Sequence, residues 1–363
     1  MTRPRPNRRQ PGVATIADVA RHAGVSPMTV SRVVNGEAGV RPALREAVQA
    51  AVAALKYVPN PAARRLVGSQ PVRLGVLYGN PSAGYLSELL VGLLNQAGLL
   101  NVQLIVEPCG DEPQLPQHAA RLLDLGVHGL VLPPPLGDSR ELLDRVSERG
   151  VPAVTVASGK PDARFGAVGI DDREAAREMT RHLLALGHER IAFVTGHPRQ
   201  TASRLRLQGW REAMTQAGLQ PDPKLVAAGL FTYRSGLDAA ESLLALDPRP
   251  TAVFASNDDM AAATVAVAHR LGLDVPGDLT VAGFDDTAIA STIWPGLTTI
   301  RQPIAEMARR ALDLLVQQVR QQRDGTAARP VHERMPFTLL RRQSDAAPRT
   351  RPPLRAAPAR RPR

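Results

Sequence analysis

The stretch GVSPMTVSRVVNG, residues 24–36, decides the architecture of the amino-terminal region. Gly24 has no Cβ, so it tolerates the left-handed backbone of a tight turn. Ser26 is a favourable helix cap, and Pro27 suits the first helical position, where its missing N–H costs nothing. Apolar residues then recur at helical spacing up to Asn35. The stretch therefore predicts a short turn followed by an amphipathic helix.

Helices are also predicted on both sides of this stretch. Thr15 and Asp18 fit the capping pattern that opens a helix at residue 16, and a third helix is expected to begin near Pro42. A helix, a short turn, a helix with a polar outer face and a third packing helix form the helix-turn-helix plan. The pattern favours DNA binding, and a generic three-helix unit is the alternative.

The outer face of the second helix is the candidate DNA-reading surface. Pro27 and Met28 offer only apolar contact, for instance with a thymine methyl group, whereas Arg32 is suited to a guanine edge. We expect Thr29 and Ser31 to contact phosphates. The supporting DNA contacts are predicted to be Thr15, Ser26 and Asn35.

A linker of unusual composition follows, YVPNPAARRLVGSQP at residues 57–71. Pro59 and Pro61 interrupt regular secondary structure. Residues 62–67 could form a helix, but a helix this short is only marginally stable by itself in water. Its two arginines and the apolar Leu66 are atypical of a solvated tether. The segment is therefore expected to fold only against a partner or in a groove.

Residues 71–341 alternate short apolar strands with helices in two successive runs. Such repetition predicts two parallel sheets, each covered by helices on both faces. Two open sheets of this kind in tandem place a ligand crevice at the carboxyl ends of their strands. The last part of the region is expected to cross back between the lobes and to end as a strand.

Several motifs resemble the lactose-repressor (LacI/GalR) family of bacterial transcription regulators. TIADVARHAGVSPMTVSRVVNG and YVPNPAARRL resemble its headpiece and hinge, while LGHERIAFVTG, SRLRLQGW, ASNDDMA, AGFDDT and GLTTIRQP resemble its core. The resemblance implies an all-α helix-turn-helix headpiece with a hinge helix, followed by an α/β core like that of periplasmic binding proteins, with two parallel-sheet subdomains. It also implies a homodimer on pseudo-palindromic operator DNA. Paired hinge helices would enter the minor groove, where Leu66 wedges between base pairs and Asn60 adds a contact.

These considerations predict the following domain organisation. A basic disordered tail precedes the headpiece and hinge, two discontinuous subdomains form the core, and a second basic tail ends the chain. The boundaries are 1–13 for the first tail, 14–60 for the headpiece, 61–70 for the hinge, 71–170 with 300–329 for the amino-terminal subdomain, 171–299 with 330–341 for the carboxy-terminal subdomain, and 342–363 for the second tail.

Polar residues at predicted strand ends and helix starts are candidates for effector binding. Arg206 offers a fork of donors, Asn257 an amide and Asp285 a carboxylate, a set that can bind neighbouring hydroxyl groups. The resemblance adds Phe231 as a ring that stacks on the effector, and it adds two pocket residues near the first strand. Those two residues are Tyr85 and Leu86. For three further polar residues nearby, the alternative to ligand contact is a purely structural role as helix caps or rim ion pairs. These residues are Asp258, Asp286 and Arg204.

Two departures from the family pattern bear on the effector. Gln200 and Ala202 replace the residues with which purine-binding members grip a base, which argues against a purine. Ala157 stands where the lactose repressor has an acidic residue, so galactoside chemistry is not supported either. We expect a sugar or a sugar derivative.

Composition narrows the class of protein further. The 363 residues carry a formal net charge of +11 and a single cysteine, Cys109, which fits a polyanionic partner and a reducing cytoplasm. No apolar signal segment, membrane span, P-loop, nucleophile elbow or metal-spaced histidine cluster is present in the sequence, so we expect no membrane, cofactor or enzymatic activity. The expected function is a cytoplasmic, ligand-responsive regulator that joins the nucleoid on binding its operator, in most cases as a repressor of carbohydrate genes. A sugar-binding transport component is the alternative, although it would have a signal peptide and no headpiece.

Overall fold

A computed structural model describes residues 14–34, 40–55, 57, 72–109, 115–326 and 329–349. The chain forms two compact units, Met1–Pro71 and Val72–Arg363, and each is described by itself. Asn35, Asn60, Leu66 and the proposed hinge lie outside the described residues. No helix in the described part of the chain is both long enough and apolar enough to cross a membrane.

The described part of the first unit contains the expected helices, α1 (Ile16–Ala23), α2 (Pro27–Val34) and α3 (Pro42–Ala54). Gly24 ends α1 with φ of 66°, the left-handed conformation expected of it. Its small core consists of Val19, Ala20, Val30, Val33, Val48, Ala51 and Tyr57. The predicted helix-turn-helix arrangement is confirmed.

The first lobe of the second unit is a parallel sheet in the order β11-β5-β4-β3-β1-β2. Its helices carry apolar faces that pack on the sheet, and α12 contacts three of the strands. The strands are β1 (Arg73–Tyr78), β2 (Gln103–Pro108), β3 (Gly129–Leu132), β4 (Ala153–Val156), β5 (Gly166–Gly169) and β11 (His332–Arg334). The helices are α4 (Ala83–Leu100), α5 (Leu115–Asp124), α6 (Arg140–Glu148) and α12 (Ile304–Arg323), with a 3₁₀ turn at Leu136–Asp138.

The second lobe has a sheet in the order β12-β10-β9-β8-β6-β7, in which only the β10–β12 pair is antiparallel among the described strands. The strands are β6 (Ile191–Val194), β7 (Val226–Ala227), β8 (Ala252–Ala255), β9 (Thr280–Asp285), β10 (Thr298–Arg301) and β12 (Thr338–Leu340). The helices are α7 (Asp172–Ala185), α8 (Thr201–Gln216), α9 (Tyr233–Leu244), α10 (Asp258–Arg270) and α11 (Ala288–Thr292), with a 3₁₀ turn at Pro223–Leu225.

The subdomain boundaries differ from the predicted ones at two places. Strand β10 extends to Arg301 in the second sheet, beyond the boundary predicted at residue 300. Residues 332–334 pair with β5 in the first sheet, although 330–341 was assigned as a whole to the second lobe. The segment HER has no apolar pattern that shows which sheet it joins, because backbone pairing at the sheet edge holds it.

The expectation of a disordered tail from residue 342 is wrong for residues 342–349. The Ser344 hydroxyl donates to the Val281 carbonyl at 2.5 Å and accepts from the Thr298 N–H at 2.8 Å. The Asp345 carboxylate accepts from the Thr298 hydroxyl at 2.8 Å and lies 2.5 Å from His182 Nε2. Buried polar bonds hold this segment, so a search for apolar periodicity could not find it.

Candidate effector site and nucleic-acid interface

The exposed face of α2 has the character expected of a DNA-reading helix. Met28 is 66 % exposed, and Arg32 is exposed one helical turn later on the same face. Pro27 occupies the first helical position, and Ser31 is half-buried between the two exposed side chains. The face thus presents a cation and an apolar side chain side by side.

The hydroxyl groups near the two helix starts are engaged in capping. The Ser26 Oγ accepts from the Thr29 N–H at 3.2 Å and lies 2.9 Å from the Thr29 hydroxyl. Thr15 and Asp18 form a reciprocal capping box, with the Thr15 hydroxyl donating to the Asp18 carboxylate at 2.6 Å. These residues fix the starts of α1 and α2, and their DNA contacts stay predictions.

A small cavity lies between the two lobes. Its walls come from the segments that follow the parallel strands and from the first turns of α4 and α8, as expected for the carboxyl edge of such sheets. The lining residues are Asn80, Ser82, Tyr85, Pro134, Ala157, Gln200, Ala202, Arg206, Phe231, Asn257, Asp285 and Gln302. The structure therefore brings together Tyr85, Arg206, Phe231, Asn257 and Asp285, which the sequence singled out.

Arg206 is a buried cation held in place from several sides. Its Nε donates to Asp172 Oδ1 at 2.8 Å, and its Nη1 donates to the Ser256 carbonyl at 2.6 Å. The guanidinium lies 3.6 Å from the ring centroid of Phe284, and Nη1 is 3.6 Å from Asp285 Oδ1. These contacts hold the Arg206 side chain in one rotamer, so its remaining N–H donors point in one direction. The guanidinium is therefore preorganised to bind a ligand.

Asp285 ends β9 with φ of 110°, and this strained backbone turns its carboxylate towards the cavity. Oδ1 accepts from Gln302 Nε2 at 2.6 Å. Burial raises the pKa of Asp285 to about 7, against the opposing effects of Arg206 and of the Gln302 hydrogen bond. The residue is thus poised between the carboxylic acid and the carboxylate near neutral pH.

Asn257 and Phe231 form one connected corner of the cavity. Asn257 caps α10 by accepting from the Met260 N–H at 3.0 Å, and its Nδ2 donates to the Phe231 carbonyl at 3.0 Å. Phe231 has φ of 62°, and its ring lies against Gly196, where any side chain would collide with it. Much of the role of Asn257 is therefore to position the ring.

Tyr85 and Leu86, predicted as neighbours in the pocket, take different positions. The buried Tyr85 hydroxyl has no hydrogen-bond partner among the described residues. Burial raises the pKa of Tyr85 well above its ordinary value, so the hydroxyl keeps its proton and can donate it to a ligand. Leu86 does not line the cavity and packs against the main hydrophobic core instead. This difference follows from helix geometry, because successive residues of α4 point in different directions.

Asp258 and Asp286 both make structural contacts rather than facing the cavity. Asp258 is fully buried, where its carboxylate accepts from the Thr287 N–H at 2.8 Å and from the Thr299 hydroxyl at 2.7 Å. Asp286 forms ion pairs with Arg301 at 2.7 Å and with Arg342 at 2.5 Å. Adjacent residues at a strand end point apart, so Asp285 alone of its pair reaches the cavity.

Some residues of the site escaped sequence reasoning. Asn80 and Gln302 follow β1 and β10, so their positions at strand ends were a usable signal. Asp172 opens α7 and reaches Arg206 only through tertiary packing. Ala157, Gln200 and Ala202 were noted as departures from the family pattern, and all three line the cavity.

Hydrogen bonds join the lobes on two sides of the cavity. Asp138, from the first lobe, accepts from the N–H and the hydroxyl of Thr201 at 2.8 and 2.7 Å, at the start of α8 in the second lobe. The Ser158 hydroxyl donates to the same carboxylate at 2.7 Å. On the other side, the Ser82 hydroxyl donates to Asp259 at 2.6 Å. We call the contact of Asp138 with Thr201 and Ser158 the Asp138 latch.

A helix-turn-helix unit joined to a two-lobed core with an interlobe cavity defines a ligand-binding, DNA-binding protein. Residues 15–60 match the bacterial regulatory proteins of the lacI family, and residues 180–344 match a periplasmic binding protein-like domain. The ribose operon repressor of Escherichia coli K12 is 35% identical over 312 residues, which cover 85% of this chain and 94% of that protein.

Two solved structures share the fold. A complex of the transcriptional regulator CelR with cellobiose has a TM-score of 0.70 at 32% identity, covering 92% of this chain and 100% of the other. The Lac repressor dimer bound to operator and an anti-inducer has a TM-score of 0.73 at 30% identity, with the same coverage. The chain belongs to the lacI family of DNA-binding transcriptional regulators. The resemblance inferred from the motifs is confirmed.

Proposed function

We propose that this regulator is a repressor of carbohydrate-utilisation genes whose operator affinity depends on a small sugar-like effector bound between the lobes. The observation that carries the proposal is the cavity itself, in which Arg206, Asp285 and the unpartnered Tyr85 hydroxyl converge from both lobes. Relatives named for ribose and solved with cellobiose support this effector class.

Each side chain of the cavity has a distinct proposed role. Arg206 donates to ligand hydroxyl oxygens and Asp285 accepts from ligand hydroxyl groups, which together select a pair of neighbouring hydroxyls. Phe231 offers its ring to the apolar face of a sugar. Asn257 holds this ring and adds its amide, and Tyr85 donates from the first lobe. Leu86, on the same helix as Tyr85, packs against the core and is not proposed to contact the effector.

Closure of the lobes is the proposed link to DNA. A ligand that bridges them favours one lobe arrangement, and the hinge at residues 61–70 orders or melts in response. The same scheme serves induction and corepression with opposite sign. Exposed apolar side chains on α4, such as Val91, Leu94 and Leu99, suit a homodimer contact beside the site.

Operator recognition is proposed for the face of α2 and for the hinge. Arg32 reads a guanine edge, while Met28 and Pro27 contact a thymine methyl group. Ser31 and Thr29 bind phosphates, Thr15 and Ser26 fix the helix starts, and the hinge inserts a wedge into the minor groove. Asn35, Asn60 and Leu66 complete this set. The protein acts in the cytoplasm and joins the nucleoid when the operator is bound.

A calorimetric titration of the full chain with a panel of mono- and disaccharides tests the proposal. At least one sugar is expected to bind, and Asp285→Asn is expected to weaken that binding at least tenfold, because a charge-assisted hydrogen bond is lost. Asp286→Asn is the matched control, since Asp286 lies outside the cavity. Equal loss in both variants, or no binding by any sugar, would overturn the proposal.

A further inference from the structure

The charges around the cavity are balanced without any ligand. Among the described residues that line it, only Arg206 and Asp285 carry a charge. Arg206 already donates to Asp172 at 2.8 Å and to the Ser256 carbonyl at 2.6 Å, and it lies 3.6 Å from Asp285. The cation is therefore committed to two carboxylates before an effector arrives.

Acidic groups outnumber this single cation in the surrounding wall. Asp172, Asp258 and Asp259 are partly or fully buried close to the cavity, and burial raises the pKa of each carboxyl. Asp259 accepts from the Ser82 hydroxyl at 2.6 Å, so this carboxyl group is directed at a residue of the lining. A raised pKa favours the neutral carboxylic acid, so these groups add hydrogen-bonding oxygens but no positive charge to the surroundings of the cavity.

Basic residues in the nearby loop do not supply a second cation to the cavity wall. His197 and Arg199 precede the lining residue Gln200, but neither belongs to the wall of the cavity. Lys160 is exposed in the first lobe and is likewise outside the wall. In the described part of the chain, no cation besides Arg206 is placed to neutralise an anionic ligand inside the cavity.

Uncommitted hydrogen-bonding atoms show what the cavity accepts instead. The buried Tyr85 hydroxyl and the Gln302 Oε1 atom have no partner within the described residues. The first can donate to a ligand oxygen and the second can accept from a ligand hydroxyl. A donor and an acceptor left open in one buried space are complementary to hydroxyl groups, which both give and receive hydrogen bonds.

We infer that the effector is a polyhydroxyl compound that carries no phosphate or carboxylate group, and that the cavity discriminates against the phosphorylated or oxidised form of the same sugar. The inference rests on the proposed function of the cavity. A neutral sugar satisfies Tyr85, Gln302 and Asp285 by hydroxyl contacts alone. An anion would have to compete with Asp172 and Asp285 for Arg206, in a desolvated space whose described lining offers it no second cation.

The test uses matched sugars on the full chain. D-Ribose is paired with ribose 5-phosphate, D-glucose with glucose 6-phosphate and with glucuronate, and D-fructose with fructose 1-phosphate, and binding is measured by calorimetry at fixed ionic strength. Binding is expected from a neutral sugar, with its anionic counterpart at least about 100-fold weaker, since burying an ion without a free counter-ion costs several kcal/mol.

A phosphorylated or carboxylated sugar that binds as tightly as its neutral counterpart would overturn the inference and leave the proposed function standing. Binding in neither arm contradicts the proposed function, and the inference falls with it. These two failures are distinguishable because the first shows an occupied cavity.

A charge variant separates electrostatic rejection from simple lack of space. At a pH above the Asp285 pKa of about 7, Asp285→Asn removes one negative charge with little change in volume, so the affinity ratio of neutral to anionic sugar should shrink by about tenfold or more even though neutral binding weakens. Asp286→Asn should leave the ratio unchanged. An unaltered ratio in Asp285→Asn would show that size excludes the phosphate, and it would overturn the electrostatic account. Melting temperatures establish that both variants are folded.

Discussion

Burial, hydrogen-bonding capacity and backbone strain meet at Asp285. Its carboxylate faces Arg206 and Gln302, while Asp259 and Asp172 act against its ionisation. The strained φ of 110° persists because the surrounding bonds determine the position of the side chain. We therefore propose Asp285 as the functional centre of the cavity.

The titration of Asp285 predicts a pH-dependent stability. Its pKa is about 7 in the folded chain and 3.8 as the ordinary value, so the folded state holds the proton more firmly than the unfolded state does. The stabilisation is fully present below the ordinary value and is lost as pH rises through about 7. Urea unfolding across this range should show that loss in the parent chain and a smaller loss in Asp285→Asn. Parallel pH profiles for the two proteins would contradict the assignment.

Arg32 is the residue on which polar base reading depends in this account. Arg32→Ala should relax the preference at one guanine per half-site, at a cost of about 1–3 kcal/mol, because a bidentate contact with the base is lost. Selection of binding sites from random DNA measures the preference. The exposed Arg234, in the core unit, supplies a control of equal charge, Arg234→Ala. An unchanged base profile for Arg32→Ala would move base reading elsewhere on the headpiece.

Individual cavity residues were predictable to the extent that strand ends reveal them. Asn257 and Asp285 sit at such ends, Arg206 lies in the second turn of α8, and all three line the cavity. The engagement of Arg206 by Asp172 was not predictable, because it joins helices whose packing no local pattern encodes. Leu86 is the opposite case. Its motif position predicted a pocket residue, but its side chain packs on the core, because a matching motif position does not fix the direction of a side chain.

At the scale of elements, the repeated alternation of strands and helices predicted both parallel sheets. It did not predict where the chain changes lobe, because β11 is a polar segment of three residues at a sheet edge. It also missed residues 342–349, whose packing depends on hydrogen bonds of Ser344 and Asp345. Periodicity detects elements that bury apolar faces, and these segments bury few apolar side chains.

The Asp138 latch connects an element of each lobe. Its carboxylate accepts from the Thr201 N–H at the start of α8, where the helix dipole favours a negative charge. Asp138→Ala should shift the lobes towards open arrangements and weaken effector binding by about fivefold to tenfold, because closure loses several hydrogen bonds. Small-angle scattering and calorimetry measure the two effects.

Asp144→Ala is the matched control for the latch, because Asp144 forms an exposed ion pair with Arg164 inside the first lobe. It should leave both the scattering curve and the effector affinity unchanged. A latch variant that behaves like this control would show that Asp138 serves only the local fold.

At the scale of the whole molecule, the proposed function couples a cavity in one unit to DNA recognition in the other. Leu66 lies outside the described residues, and its role as a minor-groove wedge stays a prediction. Leu66→Ala should weaken operator binding strongly while effector affinity is retained, because the wedge contacts DNA alone. Electrophoretic mobility shifts and calorimetry on the same preparation separate the two quantities. Operator affinity equal to that of the parent chain would remove Leu66 from the interface.

The most direct test of the central claim is operator affinity measured by fluorescence anisotropy with and without a saturating sugar identified by calorimetry. The account predicts that the sugar changes the operator Kd of the parent chain at least fivefold, in either direction, as typical coupling free energies imply. It also predicts that, at the same sugar concentration, Asp285→Asn binds operator normally without this change. An operator Kd that the bound sugar leaves unaltered in the parent chain would contradict the account.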